Sequence, residues 1–313
     1  MTTPAPDHRP VAAAASMVGA MFIIGLIDIY VAEIARTISV WQFLVMRMIF
    51  AVPVVLLGSW LGLGSVRPRR WGPVIVRSTL FACGMFCYFA ALAFMPIAMA
   101  LAGLFTSPIF VLLITAFVLG QPIGPWRVLA VAVGFAGILT VLGPSRADLG
   151  WILVLPVLGG VLYASGVVAT RALCEGETTM TLLLGIFVAQ GTLGMVALAG
   201  LTLAGAEVGA GGMAFLTRGW IWPMEAAMPY VLLQVAGSVV GVGLLNRAYQ
   251  LGEASYVAVF EYSIMVFGPF FGWLLMQQTV TALQGLGIGL IVMAGTIIAW
   301  RTGREARAAR VRP

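Results

Sequence analysis

Ionisable side chains are scarce in this 313-residue sequence, and Asp28, Arg47 and Glu261 each fall within a run of apolar residues as long as a helix. A charge inside a lipid-spanning helix costs roughly 2.5 to 3.5 kcal/mol on insertion scales, so each needs a reason to be there. Glu261, in Phe260-Glu261-Tyr262 and eight residues before Pro269, is the sharpest candidate. A carboxyl group at that depth can take a proton from one side of the membrane and release it to the other, or pair with a cationic substrate. The structural alternative is an ion pair with Arg47, about 7 Å away along the membrane normal at a rise of about 1.5 Å per residue. Arg47 has a rival partner in Asp28, about equally distant in depth on the neighbouring helix, so a structural Asp28–Arg47 ion pair and an anion-binding Arg47 both stand. Tyr88, Tyr163, Gln234, Asn246 and Tyr262 lie at mid-helix depth and could line a polar cavity that binds substrate, or simply bond one helix to another.

Other chemistries lack their residues. The one histidine, His8, lies in the N-terminal tail, so a Ser-His dyad or a histidine-ligated metal cannot form within the membrane. Asp28 has no second aspartate at its depth, and the chain contains no lysine to complete a phosphate-cradling glycine loop. Cys83 and Cys87 share a helix face, but no third ligand lies near, and with Cys174 they read as small packing side chains. An enzyme, a metal site and a bound cofactor are not expected.

The elements that must position these groups follow from composition. Hydrophobic residues make up 61% of the chain and charged residues 9%, against roughly a quarter charged in soluble domains, so the apolar surface must face lipid. A span needs about 20 mostly apolar residues. Ten such runs occur: 12 to 31, 39 to 60, 73 to 93, 96 to 119, 127 to 143, 150 to 170, 180 to 204, 229 to 250, 254 to 275 and 281 to 299. None alternates in polarity as a barrel strand would. The expected fold is an all-α integral membrane protein with ten transmembrane helices. Residues 1–11, which read as a short polar tail and not a cleaved leader, and the arginine-rich 300–313 flank the spans.

With both tails inside, cytoplasmic segments and span ends carry thirteen of the arginines and outer ones Arg36, Arg146 and Arg218, which places both termini in the cytoplasm. Arg77 and Arg247 lie close enough to the inner interface to snorkel. Trp41, Trp71, Trp126, Trp151, Trp220 and Trp222, at span ends, are expected as interfacial anchors. All the basic residues are arginine and no basic stripe follows a soluble domain, so nucleic acid is not an expected partner.

Two copies of a five-helix unit account for the spans. Ala98-Met99-Ala100 aligns with Ala254-Ser255-Tyr256 at an offset of 156, which sets Gln121 opposite Gln277, and Ala136-Gly137 meets Ala294-Gly295 at 158. Five is odd, so consecutive copies at 12–143 and 150–299 enter from opposite faces and form an inverted repeat. Pro53, Pro108, Pro156 and Pro269 lie within helices; Pro108 and Pro269 fall on equivalent ones and direct the expected site to spans four and nine. The pairs Gly58/Gly62, Gly237/Gly241, Gly268/Gly272 and Gly285/Gly289 are expected at close helix crossings.

The arginine early in span two within Trp41-Gln42-Phe43-Leu44-Val45-Met46-Arg47 is one family-like feature. Others are Ala91-Leu92-Ala93-Phe94-Met95-Pro96-Ile97-Ala98 and its echo Ala248-Tyr249-Gln250-Leu251-Gly252-Glu253-Ala254-Ser255. With the inverted ten-span plan, these make the chain resemble the drug/metabolite transporter superfamily, EamA type. The resemblance implies a bacterial inner-membrane carrier that moves small metabolites by alternating access, often outward. It departs where members usually carry Gly-Glu after spans four and nine: here stand Gly120-Gln121 and Met276-Gln277-Gln278, which shifts attention to Glu261.

The expectation is a secondary transporter, an exporter of amino acids or related amphipathic compounds, acting as monomer or homodimer. Its site lies near spans one, three, four, six, eight and nine. The alternative is an uptake carrier for a vitamin or nucleobase-like compound. A non-transporting sensor or assembly partner would need a soluble output domain, for which both tails are too short.

Overall fold

The computed structural model describes residues 9–91, 100, 103–120, 124–142, 154–209, 213–277 and 281–311. The start of the expected fourth span, most of the 91–98 motif, Gln121, Gln278, Arg146 and Trp151 lie outside them. The described residues form helices and no strand. In chain order these are α1 (Pro10–Asp28), α2 (Val31–Thr37), α3 (Val40–Trp60), α4 (Trp71–Ala91), α5 (Ser107–Leu113), α6 (Pro125–Leu142) and α7 (Val154–Ala172). They continue with α8 (Thr179–Leu203), α9 (Met213–Thr217), α10 (Met228–Leu251), α11 (Ala254–Glu261), α12 (Ile264–Met276) and α13 (Ala282–Val311). Seven helical segments among them are long and apolar enough to cross a membrane, and Ser107–Val118, Pro125–Thr140 and Gly285–Ala294 are shorter apolar helices.

Helix starts follow local chemistry. The Ser39 hydroxyl accepts the Gln42 backbone N–H at 3.2 Å and opens α3, and Thr178 does the same for Thr181 at 3.1 Å at the start of α8. Proline occupies the first turns of α1, α5 and α10, where no backbone donor is needed.

Two of the interrupted helical runs among the described residues bear on the site. Before α5 the chain turns at Phe105 and Thr106, and between α11 and α12 it turns at Tyr262 and Ser263. In both turns a hydroxyl bonds the carbonyl three residues earlier: Thr106 to Gly103 at 2.6 Å and Ser263 to Phe260 at 2.7 Å. These local bonds hold a carbonyl that a continuing helix would have used. Pro108 thus sits just past its break, whereas Pro269 lies inside the unbroken α12; the second break falls earlier, beside Glu261.

Packing is pairwise. Helix α1 lies along α10, α3 along α8, α4 along α7 and α6 along α13. The surface outside these contacts is apolar: Phe117 and Leu203 are 83% and 88% exposed, as lipid-facing side chains are. Trp41 departs from the anchor expectation, since its indole N–H donates to the Leu216 carbonyl at 2.7 Å and its ring stacks on Phe86. Of the four glycine pairs, Gly237/Gly241 meets Ile27 and Ile24 of α1, while Gly268, Gly285 and Gly289 face open space and Gly62 forms a turn with φ +86. One close, reciprocal crossing escaped the pair pattern: a Cβ on Gly84 would lie 3.0 Å from the Gly159 carbonyl, and one on Gly159 would lie 3.0 Å from the Gly84 carbonyl. Backbone meets backbone there, with no side chain able to yield. Gly84→Leu should therefore destabilise the protein by about 1 to 3 kcal/mol, read as a lower midpoint of thermal unfolding in detergent, whereas Gly285→Leu should leave it unchanged.

Candidate functional site

Three of the buried polar clusters among the described residues bear on the site. The first begins at Glu261, fully buried at the end of α11. Its Oε1 accepts the Tyr163 hydroxyl of α7 at 3.1 Å and also that of Tyr249 of α10, and its Oε2 accepts the Ser107 hydroxyl of α5 at 3.4 Å. The acid is thus held by three neutral donors, and the expected alternative partner, Arg47, is not among them.

The second cluster runs from α3 to α1. Arg47 donates through Nη2 to Ser238 Oγ at 2.9 Å, Ser238 donates to Gln234 Oε1 at 2.9 Å, and Gln234 Nε2 donates to Asp28 Oδ1 at 3.1 Å and to the Ile27 carbonyl at 3.4 Å. Asp28 and Arg47 are therefore bridged through two neutral side chains of α10. The guanidinium also lies 5.4 Å from the Phe43 ring centre and 5.6 Å from that of Phe187. Contact with those faces offsets part of the cost of burying a cation.

A narrow cavity joins these clusters. Its walls include Asp28, Arg47, Gln190, Gln234 and Ser238 on the polar side and the rings of Phe81, Tyr88, Phe89, Phe105 and Tyr163 on the other. Tyr163 belongs to both cavity and acid cluster, so its hydroxyl links the two. The cavity holds about 90 Å³, room for about three waters at about 30 Å³ each and well under the roughly 300 to 1,000 Å³ of ligand pockets. It is a closed form.

The third cluster was misread from sequence. Arg77 does not snorkel: it is wholly buried, because its position on α4 faces α7, α8 and α10 and not the interface. Its Nε donates to Thr170 Oγ1 at 2.8 Å, its Nη1 to the Leu182 carbonyl at 3.0 Å and its Nη2 to Asn246 Oδ1. Phe81 lies 4.5 Å from the guanidinium and packs edge-on against Tyr163 at 5.0 Å. Beyond Arg77 opens a polar vestibule of about 440 Å³, lined among others by Thr170, Arg171, Glu177, Arg247 and Gln250. The Arg77 knot thus separates vestibule from cavity.

The sequence-predicted residues divide accordingly. Asp28, Arg47, Tyr88, Tyr163 and Gln234 line the cavity, and Glu261 adjoins it through Tyr163. Asn246 is engaged by Arg77, and Tyr262 turns its ring toward Gly134 of α6, so neither lines the cavity. Sequence reasoning missed Ser107, Gln190, Ser238 and Tyr249. Small hydroxyls and amides within apolar runs were visible as types, but only helix rotation turns them inward.

A model of the EamA-like transporter family matches residues 12–143. The chain is 28% identical over 267 residues to a riboflavin transporter of Rhizobium johnstonii, an alignment covering 85% of this chain and 82% of the relative. It is 29% identical over 236 residues to the pseudopaline exporter CntI of Pseudomonas aeruginosa, covering 74% and 76%. A solved crystal structure 18% identical in sequence shares the fold, with a TM-score of 0.74 across 92% of this chain and 98% of the other. The family match over residues 12–143 and the transporter-named relatives point to a membrane transporter and not an enzyme.

Arg77 generates a direct test. Arg77→Ala strips hydrogen-bond donors from Thr170, the Leu182 carbonyl and Asn246 together, at about 1 to 3 kcal/mol for each buried group left unpaired. The variant should show reduced yield and a lower unfolding midpoint, whereas Arg247→Ala, at an exposed vestibule position, should match the parent.

Proposed function

We propose that the chain is a secondary active carrier that moves a small amphipathic metabolite across the bacterial inner membrane by alternating access. The observation that carries this reading is the central cavity, walled by helices from both ends of the sequence and joined through Tyr163 to the buried acid Glu261. Glu261 binds and releases the coupling proton, and Asp28, Arg47, Tyr88, Tyr163 and Gln234 contact substrate. Each charge moved down the membrane potential supplies about 2.3 kcal/mol per 100 mV, enough to drive exchange.

Ten spans in two inverted halves, 12–143 and 150–299, with both termini in the cytoplasm, complete the proposal. Helix pairing supports it. If α1, α3, α4, α5 and α6 supply the first five spans and α7, α8, α10, α11 with α12, and α13 the second, a twofold relation requires span one to pair with eight wherever three pairs with six. The pairs α1 with α10 and α4 with α7 have that form, and α3 with α8 and α6 with α13 join equivalent spans. The two hydroxyl-held breaks, at Thr106 and Ser263, lie 157 residues apart, within the offsets that align the halves in sequence.

In the closed form the Arg77 knot seals the cytoplasmic side, and opening that side requires α4 to part from α10 at Asn246. Of the two substrate readings, a vitamin or nucleobase-like ring suits the aromatic walls and the riboflavin-transporting relatives better than an aliphatic amino acid. The relative that exports pseudopaline favours a second reading, an amino-acid-like compound whose carboxylate meets Arg47.

The test is counterflow into proteoliposomes of labelled vitamins, nucleobases and amino acids, with and without a pH gradient. Saturable counterflow of one class is expected. Glu261→Gln keeps an amide oxygen for the tyrosine hydroxyls but cannot exchange a proton, so it should retain counterflow and lose at least tenfold of the pH-gradient stimulation. An unchanged response to the gradient would remove Glu261 from coupling.

A further inference from the structure

The cavity's polar wall is nearly self-satisfied. Ser238 and Gln234 are committed to the Arg47-to-Asp28 chain, and the Tyr163 hydroxyl is committed to Glu261. Two buried lining atoms have no protein partner among the described residues: Arg47 Nε on α3 and Gln190 Oε1 on α8. One is a hydrogen-bond donor and the other an acceptor, on residues 5% and 2% exposed, carried by two helices packed against each other. Burying such atoms is unfavourable unless something meets them. In a carrier, substrate can take the place of water there.

A ligand that satisfies both atoms offers an acceptor to one and a donor to the other, in a shape thin enough to lie against Phe81, Phe89 and Phe105. A carbonyl next to a ring N–H has this pattern and this flatness. We infer that Arg47 and Gln190 read the –C(=O)–NH– edge of a planar heterocycle, with Arg47 Nε donating to the carbonyl and Gln190 Oε1 accepting from the ring N–H. This rests on the carrier reading and names the substrate class of its site. Selection is strong in such an arrangement, because a ligand without the edge leaves buried polar atoms unmet.

The experiment uses riboflavin, whose dioxopyrimidine ring carries this edge, its N3-methyl derivative, which lacks the N–H, and leucine, which lacks the ring. Counterflow is measured in proteoliposomes of the full chain and of Gln190→Leu, alongside the unfolding midpoint of each. Because Gln190 Oε1 holds no protein partner among the described residues, the variant should keep its midpoint while its half-saturating riboflavin concentration rises at least tenfold. The parent should prefer riboflavin to the N3-methyl derivative by at least tenfold, and the variant should treat the two alike. Equal handling of both flavins by the parent, or a fall in midpoint with unchanged affinity in the variant, would overturn the edge assignment. Saturable transport of leucine without either flavin would overturn it too and leave the carrier reading standing. If none of the three compounds moved faster than in protein-free liposomes, the carrier reading would fail and this inference with it.

Discussion

A polar group inside a lipid-embedded helix bundle must find its partner in the protein, because the hydrocarbon around the bundle offers none. That constraint organises this structure. Three ionisable side chains deep between the helices, Glu261, Arg47 and Arg77, are each met by neutral hydroxyls, amides or carbonyls from at least one other helix. Neutral partners hold a charge in place without cancelling it, so each group stays able to act on a proton, a substrate or a neighbouring helix. The helix breaks obey the same constraint, with Thr106 and Ser263 bonding carbonyls that regular helix would have used.

The clusters are arranged in sequence through the bundle. The vestibule leads to the Arg77 knot, the knot to the Phe81–Tyr163 contact, and that contact to the cavity, with Glu261 to one side and Arg47 on the far wall. Tyr163 touches both the space a substrate would occupy and the acid. A ligand that displaces its hydroxyl changes the donors around Glu261, and a change of charge on Glu261 changes how firmly Tyr163 is held. Coupling of this kind needs no contact between substrate and acid.

Much of this was legible in the sequence, and the reason is contrast. Asp28, Arg47 and Glu261 stand out because a charge among apolar residues is conspicuous, and all three lie in or beside the cavity. Helix type followed from run length. The lost information is rotational. Helices that are apolar all round carry almost no signal for which face turns inward, so Asn246 and Tyr262 could not be separated from Gln234 and Tyr88, and Ser238 and Gln190 passed unremarked. Arg77 shows the same loss: depth alone allowed it to reach the interface, and only its facing toward three helices buries it. The break beside Glu261 escaped because Pro269 drew attention, whereas Ser263 makes the bond that holds the turn.

Alternating exposure of one cavity, with the Arg77 knot as its cytoplasmic seal, is the claim on which the account depends. Met85 lines that cavity, and Met85→Cys, in a chain whose Cys83, Cys87 and Cys174 are replaced by serine, can be challenged with a membrane-impermeant maleimide from either face of oriented vesicles. The account predicts slow labelling from both faces, and a rise from the cytoplasmic face alone when Asn246→Ala releases Arg77. Fast labelling from both faces at once would mean an open pore, and would contradict it.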